Sequence, residues 1–222
     1  FTEVGFSGLP DEANHVDIFN ELYGPGFSPD FLPPGDTAYT NGVVTATRID
    51  DYGLGGALHL VYGAPGAADD QIWTDGIATI DAAVRYADFD QEFGYYDMDL
   101  GEYTKIFDVT GSGFDVTGSG MVDFDPGTLW AWARIDDSDG GDILNPYYSV
   151  DDLNADGLDH MVTYQITGLG TDATVWLVLW EDEITFDHDY NDLVVEISAV
   201  VPAPAAWCLL AVAGGAVRRR RR

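Results

Sequence analysis

The sequence has little cysteine, which excludes a disulfide framework for most of the chain. Among 222 residues there is one cysteine, Cys208, and it lies near the C-terminus. The body before it has no disulfide and no thiol chemistry. If the protein is exported, a bound metal is a common substitute for such cross-links. The chain begins at Phe1 without a signal-peptide pattern, which we interpret as a mature or trimmed start.

Basic residues are also scarce. The chain has 9 Lys and Arg against 39 Asp and Glu, a formal net charge of −30, and five of the nine basic residues form the run 218–222. Such a body repels nucleic acid and anionic lipid and attracts divalent cations. A solvated acidic surface suited to salty surroundings is the alternative explanation of the total charge, but it does not explain why the carboxylates are clustered.

Helix-favouring stretches are few, whereas glycine (26 residues) and aromatic residues (13%) are frequent, which predicts an all-β fold. We expect residues 1–199 to form a β-sandwich of jelly-roll type with one short N-terminal helix at 15–23. The twice-occurring "DVTGSG", at 108–113 and 115–120, predicts a hairpin. Segments 27–42 and 136–159 are predicted to be loops. Strands are predicted at 43–49, 57–62, 77–86, 129–135, 161–167, 173–180 and 193–200.

The segment 200–222 has the composition of a sorting tail. Pro202 and Pro204 precede an apolar run at 205–217, and Arg218, Arg219 and Arg220 begin the arginine run. A run of this length spans about 20 Å as a helix, which is short of the roughly 20 residues that a stable membrane span needs. We therefore expect a C-terminal hydrophobic sorting helix that contacts the membrane transiently, with its arginines on the cytoplasmic side. A buried C-terminal helix with a basic end is the alternative.

The tail resembles the PEP-CTERM sorting signal of Gram-negative-type bacteria. In that signal a Pro-Glu-Pro motif, a short apolar helix and an arginine-rich end are recognised by an exosortase at the inner membrane. Ala203 stands where the family usually has Glu. The resemblance implies an exosortase-type processing enzyme as partner, transient inner-membrane contact, and release of the body to the cell surface or the extracellular polysaccharide matrix.

The first acidic cluster is "DDLNADGLDH", residues 151–160. From Asp152 it reads D-x-N-x-D-G-x-D, which is the opening of a calcium loop with oxygen ligands at alternate positions and a glycine for the sharp turn. An EF-hand would have Glu at position twelve, where this chain has Thr163, so this is not an EF-hand. The predicted ligands in this cluster are Asp152, Asn154, Asp156 and Asp159.

The second acidic cluster spans residues 181–192 and contains six carboxylates. Like charges 4 Å apart repel by about 1 kcal/mol even in water. If 187–192 is extended, Asp187, Asp189 and Asn191 share one face. The alternative is a solvated hairpin loop. The predicted ligands are Glu181, Asp182, Asp187, Asp189, Asn191 and Asp192.

The ligand chemistry favours calcium over zinc. Zinc sites usually need three or four Cys or His ligands, and only His160 and His188 are near. His160 is predicted to pack behind the ligands. We expect the two clusters to meet at one end of the sandwich and to share calcium.

"NADGLDHMVTYQI", followed by "LVLWEDEITFDHDYNDLVVEI", resembles the end of an uncharacterised secreted domain family that is common in PEP-CTERM proteins. This family ends in an Asp-x-Asp-x-Asn-Asp motif and is taken to be calcium-binding and extracellular. The family often has a Gly-rich turn before the motif, where Ile184, Thr185 and Phe186 stand here. The resemblance implies no enzymatic activity.

Three functions are compatible with the sequence. The first is a non-enzymatic, calcium-stabilised surface or matrix protein. The second is a calcium-dependent carbohydrate-binding module acting on exopolysaccharide. The third is a glycosidase with paired carboxylates, but the chain has none of the usual catalytic motifs, and we expect no enzyme. The aromatic candidates for glycan contact are Trp73, Tyr95, Tyr96, Tyr147 and Tyr148.

Overall fold

The computed structural model describes residues 12–31, 37–49, 59–60, 72–87, 90–137, 143–181 and 189–200. These ranges are mostly β-structure and contain one α-helix, α1 (His15–Tyr23). A single 3-10 turn lies at Asp151–Leu153. The strands are β1 (Ser28–Phe31), β2 (Thr37–Thr40), β3 (Thr45–Arg48), β4 (His59–Leu60), β5 (Trp73–Arg85), β6 (Asp90–Asp97), β7 (Glu102–Ser112), β8 (Asp115–Thr117), β9 (Ser119–Asp137), β10 (Ile143–Tyr148), β11 (Met161–Thr167), β12 (Ala173–Trp180) and β13 (Leu193–Val200).

Helix α1 has the bounds that the sequence predicts. Asn14 is its N-cap and accepts a hydrogen bond from the backbone N–H of Asp17, and the chain leaves the helix at Gly24, whose φ is +92°. The apolar stripe buries Ile18 and Phe19 completely. No helix within the described ranges is long and apolar enough to cross a membrane.

The first layer is an antiparallel sheet in the order β3-β11-β12-β13-β5. Its central strand β12 is buried on both faces. Trp176 and Trp180 point into one core, and Leu177 and Leu179 point into another. This explains why segment 173–180 has apolar residues on both faces, as expected for a central strand of a packed layer.

Strand β9 joins the two layers of the sandwich. Its first half pairs with β5 and its second half pairs with β6. Trp73 and Trp130 lie opposite each other where the partner of β9 changes from β5 to β6. The second layer therefore consists of β10, the second half of β9, β6 and β7. Its inner face packs on the first layer in the first core, where Phe93 lies 5.5 Å from Trp132 and 6.3 Å from Trp180 between ring centroids.

The second core lies on the other face of the first layer and is covered by α1. The Phe19 ring lies 5.1 Å from Tyr164, 5.2 Å from Tyr39 and 5.6 Å from Phe27. Complete burial of such an aromatic side chain contributes about 2–3 kcal/mol. The helix is therefore part of the hydrophobic core.

The all-β sandwich and the bounds of β11, β12 and β13 are confirmed. The hairpin at 108–120 is confirmed too, with Ser112 opposite Asp115. Of the strand predicted at 57–62, only 59–60 is described.

The prediction of loops at 27–42 and 136–159 was wrong, because these segments contain β1, β2 and β10. Proline and glycine suggested the first loop and a concentration of Asp residues the second, but Pro29 lies in β1, at the edge of the sheet. Pro146 lies in β10, which among the described strands pairs with β9 alone and has a register shift before Pro146. Edge strands tolerate proline because their outward N–H needs no partner.

The predicted sorting-signal residues Pro202, Pro204, Arg218, Arg219 and Arg220 lie outside the described residues. The domain boundary at 199/200 therefore stays a prediction.

Candidate metal centre

The acidic segments meet at one end of the first layer. Met161 pairs with Trp180, and Trp180 pairs with Leu193, so the start of β11, the end of β12 and the start of β13 lie side by side. The residues that flank these strand ends, 151–160, 181 and 189–192, are here called the acidic end. Strand pairing alone thus places the two acidic clusters next to each other.

Three carboxylates converge at the acidic end. One carboxylate oxygen from each of Glu181, Asp189 and Asp192 lies within 4.8 Å of the others. Glu181 and Asp189 are 2% and 3% exposed, and Asp192 is partly exposed. Within the described ranges this is the group of His, Cys, Asp or Glu side chains whose geometry could hold a metal ion.

The electrostatics of this group favour a cation. Two carboxylates 4.8 Å apart repel by roughly 3 kcal/mol at an effective dielectric constant of 20. A divalent cation among them replaces this repulsion by attraction. Carboxylate oxygens are hard ligands, which suit calcium or magnesium better than zinc.

The backbone of Glu181 is held from both sides. Its N–H donates to the carbonyl oxygen of His160 at 3.0 Å. Its own carbonyl oxygen lies 3.2 Å from Arg134 Nη1 and 3.3 Å from His160 Nδ1. These contacts fix the backbone of Glu181, and with it the position from which the side chain extends at the end of β12.

Arg134 is a fully buried cation beneath this end of the sheet. It also pairs with Asp136, and it lies 5.3 Å from the centre of the Tyr147 ring, which packs 4.2 Å from the His160 ring. Burial raises the pKa of Asp136, against the opposing effect of Arg134. Arg134 is not among the site residues predicted from the sequence. The signal was present, because Trp130, Trp132 and Arg134 alternate along β9 and so share its inward face.

Segment 189–191 turns through an unusual backbone conformation. Tyr190 has φ +52°, in the left-handed region that non-glycine residues seldom adopt. Its ring is buried in the second core, and its hydroxyl donates to the carbonyl oxygen of Asp159 at 3.1 Å. Tyr190 thus joins the two acidic segments. No sequence pattern predicts a left-handed tyrosine, so Tyr190 is not among the predicted site residues.

Asp189 and Asn191 are hydrogen-bonded to each other, although the left-handed Tyr190 between them breaks the extended conformation on which the predicted alternation depends. Asn191 donates from its backbone N–H to Asp189 Oδ1 at 3.3 Å and from Nδ2 to Asp189 Oδ2 at 2.9 Å. Asn191 is fully buried. These bonds orient the Asp189 carboxylate within the group.

Asn154 organises the 151–160 loop. Its Oδ1 accepts from Tyr148 N at 2.7 Å, and its Nδ2 donates to the carbonyl oxygens of Tyr148 at 3.0 Å and Leu158 at 2.8 Å. Gly157, with φ +70°, makes the sharp turn that the sequence predicts. The side-chain amide of Asn154 therefore stabilises the backbone conformation of the loop through these hydrogen bonds.

The other loop carboxylates are also engaged locally. Asp156 accepts from Leu158 N–H and lies 3.0 Å from His160 Nε2. Desolvation acts to raise the pKa of Asp156, but these two hydrogen bonds and the nearby imidazole hold it below its usual value. Asp159 Oδ1 accepts from Met161 N–H at 3.1 Å. Asp152 is exposed.

The structure therefore brings together three of the ten predicted ligands, with Asn191 beside them. The predicted ligands of the first loop lie in the adjoining loop and hold its shape. Asp182 and Asp187 lie outside the described residues.

These elements all lie in the C-terminal part of the described chain. Residues 124–200 match the family model of a domain of unknown function, DUF4114. The match covers about a third of the chain. No curated protein matches the chain. The matched segment contains Arg134, the 151–160 loop and all three clustered carboxylates, whereas α1 and β5 lie outside it.

Proposed function

We propose that this is an exported, non-enzymatic protein of the cell surface or extracellular matrix whose fold is stabilised by calcium. The observation that carries the proposal is the convergence of Glu181, Asp189 and Asp192 at the acidic end. Two of these carboxylates are almost fully buried, where a like-charged pair is costly without a counter-ion.

Calcium fits this end of the sandwich better than other common ions. Calcium takes six to eight oxygen ligands in flexible geometry, and side-chain and backbone oxygens are plentiful on the three adjoining segments. Magnesium demands a stricter octahedron. An extracellular domain without disulfides also gains from a metal that ties two loops together.

The exported location is supported by the sequence of the tail. Two prolines, a short apolar run and an arginine cluster resemble an exosortase-processed signal, which implies transient inner-membrane contact before release. The jelly-roll type of the sandwich and the C-terminal sorting helix belong to this proposal as well.

The test is a thermal melt of the full chain with calcium, with magnesium and with excess chelator. A cation that binds the native state stabilises it by about 2.7 kcal/mol at a concentration of 100 Kd. We expect a calcium-specific rise in Tm that is lost in Asp189→Ala. Asp172→Ala, which removes an exposed carboxylate from the β11–β12 loop, is the matched control and should keep the rise. Equal melts with calcium and with chelator would refute calcium stabilisation.

A calcium-dependent carbohydrate-binding module is the second candidate, and the outer face of the second layer favours it. Tyr96 and Tyr148 are partly exposed there, with ring centroids 5.2 Å apart, and Tyr103 stands opposite Tyr96 on β7. Aromatic rings on one sheet face can stack on sugar rings. Two other candidates, Trp73 and Tyr147, are buried in the first core and are unavailable.

This candidate is tested by affinity electrophoresis through gels that contain soluble polysaccharides, with and without calcium. Retardation that is lost in Tyr148→Ala but kept in Phe114→Ala, a partly exposed aromatic in the β7–β8 turn, would establish glycan binding at this face. Equal mobility of the wild-type protein in gels with and without each polysaccharide would leave the structural role alone.

A further inference from the structure

Helix α1 lies outside the segment that matches DUF4114, yet the carbonyl oxygen of Ala13, just before the helix, accepts a hydrogen bond from Asn191, which lies beside the carboxylate cluster. Asn191 Nδ2 donates to the carbonyl oxygen of Ala13 at 3.1 Å and to Asp189 Oδ2 at 2.9 Å. One buried amide group therefore connects the start of α1 with a cluster carboxylate.

Tyr190 provides a second connection. Its side chain packs in the second core together with Ile18 and Phe19 of α1, while its hydroxyl reaches the Asp159 carbonyl oxygen. Its neighbour Asp189 belongs to the cluster, and its other neighbour Asn191 donates two hydrogen bonds to Asp189. A shift of this short segment would therefore move cluster ligands and the core contacts of α1 together.

His15, the first residue of α1, adds a third connection. Its Nδ1 lies 3.1 Å from the hydroxyl of Tyr164. Its ring lies beside the backbone of Asp189 and Tyr190. The N-terminal turn of the helix thus rests on the same segment that supplies Asp189.

An independent observation points to a ligand at this junction. Asn191 Oδ1 is fully buried and has no hydrogen-bond partner among the described residues. The amide cannot be reversed, because Nδ2 faces two acceptors, Ala13 O and Asp189 Oδ2. Oδ1 shares its carbon with Nδ2, which donates to Asp189 Oδ2 at 2.9 Å, so a buried oxygen with unused lone pairs belongs to the amide group that is bonded to a cluster carboxylate. A cation would satisfy it.

We infer that a calcium ion at Glu181, Asp189 and Asp192 locks α1 onto the second core through residues 189–191, and that removal of the ion loosens the helix. This inference rests on the proposed function. Without the ion, repulsion between Glu181 and Asp189 displaces segment 189–191, and the Asn191–Ala13 hydrogen bond is lost with it. Because coupling between binding and conformation is reciprocal, loosening α1 must weaken calcium binding by the same factor.

The direct test is amide hydrogen exchange of the full chain in calcium and in excess chelator. We expect calcium to slow exchange in α1 at least tenfold, beyond any change in the central strand β12. Calcium binding is measured on the same samples by isothermal titration calorimetry, so that binding and helix protection are read separately.

The reciprocal test uses a pair of matched core variants. Ile18→Ala truncates a fully buried side chain of α1 in the second core, and Ile197→Ala truncates a fully buried one in the first core. We expect Ile18→Ala to weaken the calcium Kd several-fold and Ile197→Ala to leave it near the wild-type value. If Ile18→Ala does not fold, Ile18→Val gives a smaller change in the same direction.

The two measurements distinguish a failure of the coupling to α1 from a failure of calcium binding. If calcium binds but α1 exchange is unchanged and both variants keep the wild-type Kd, the coupling to α1 is refuted while calcium stabilisation stands. If calcium does not bind at all, the proposed function fails and this inference fails with it.

Discussion

The two ends of the β11–β13 meander use the same three strands but differ sharply in charge. The acidic end gathers Glu181, Asp189 and Asp192 into one group. The opposite end consists of residues 23–28, 40–45, 167–173 and 199–200 and is here called the neutral end. It contains one charged residue, Asp172, in a chain with 39 acidic residues. The acidic composition is therefore not spread evenly over the loops, and general solubility does not account for its placement.

The neutral end shows what turns look like when they serve the fold alone. Asn41 Oδ1 accepts from Val43 N–H and Val44 N–H, and Gly168 takes φ +88° beneath that turn. The acidic end instead holds a left-handed tyrosine and buried carboxylates. Backbone strain and buried charge therefore occur together at the acidic end, where we propose that a ligand binds.

The largest expected effect comes from Gly168→Ala at the neutral end. A Cβ on Gly168 would collide with the Val43 carbonyl oxygen, and φ +88° is unfavourable for alanine. We expect a loss of about 3 kcal/mol of unfolding free energy in urea titrations, equal in calcium and in chelator. A loss confined to calcium would show that this end also takes part in ion binding.

The next effect concerns pH and acts at the acidic end. Burial lowers the pKa of His15 to about 4, helped by the charge of Arg48 and opposed by the Asp189 backbone. Below pH 6.5, His15 is protonated in the unfolded chain, whereas in the folded chain it stays neutral until about pH 4. The free energy of unfolding therefore falls as the pH falls from 6.5 to about 4. The loss is at most about 3 kcal/mol.

The measurement for His15 is urea unfolding between pH 7 and pH 4.5 in excess chelator, with His15→Gln as the comparison. The variant should lose less stability than the wild-type protein over this range. Parallel pH profiles would show that His15 does not contribute.

Asn154→Ala separates loop structure from metal ligation. The change removes three hydrogen bonds to the backbone of Tyr148 and Leu158, which costs about 2 kcal/mol. If Asn154 only shapes the loop, the loss is the same with and without calcium. A calorimetric titration in which the variant binds calcium much more weakly would make Asn154 a ligand.

The smallest effect is expected for Val43→Asp. Val43 is 76% exposed at the neutral end, so the new carboxylate is solvated and should change stability by no more than about 0.5 kcal/mol. The thermal melts should show no additional calcium dependence. A new calcium-dependent rise would mean that any added carboxylate produces the effect, and the contrast between the ends would lose its meaning.

Much of this architecture is readable from the sequence because its signals are local. The stripe of α1 and the alternation along β11 and β13 gave their bounds. The loop predicted at 27–42 was wrong because proline and glycine were weighed without knowing that β1 is an edge strand. The loop predicted at 136–159 was wrong because its Asp residues were taken as a loop signal, although β10 pairs with β9 there. The neighbourhood of the acidic segments was predicted, whereas the convergence of Glu181 with Asp189 depends on Arg134, His160 and Tyr190, whose contacts lie far apart in sequence.

The calcium site at the acidic end is tested most directly by isothermal titration calorimetry. The full chain is titrated with calcium and with magnesium, and the Glu181→Gln variant is titrated with calcium. We expect saturable binding of at least one calcium ion with Kd of about 1 mM or tighter, weaker binding of magnesium, and loss of binding in the variant. Absence of calcium binding, or equal binding by Glu181→Gln, would contradict a calcium site at the acidic end.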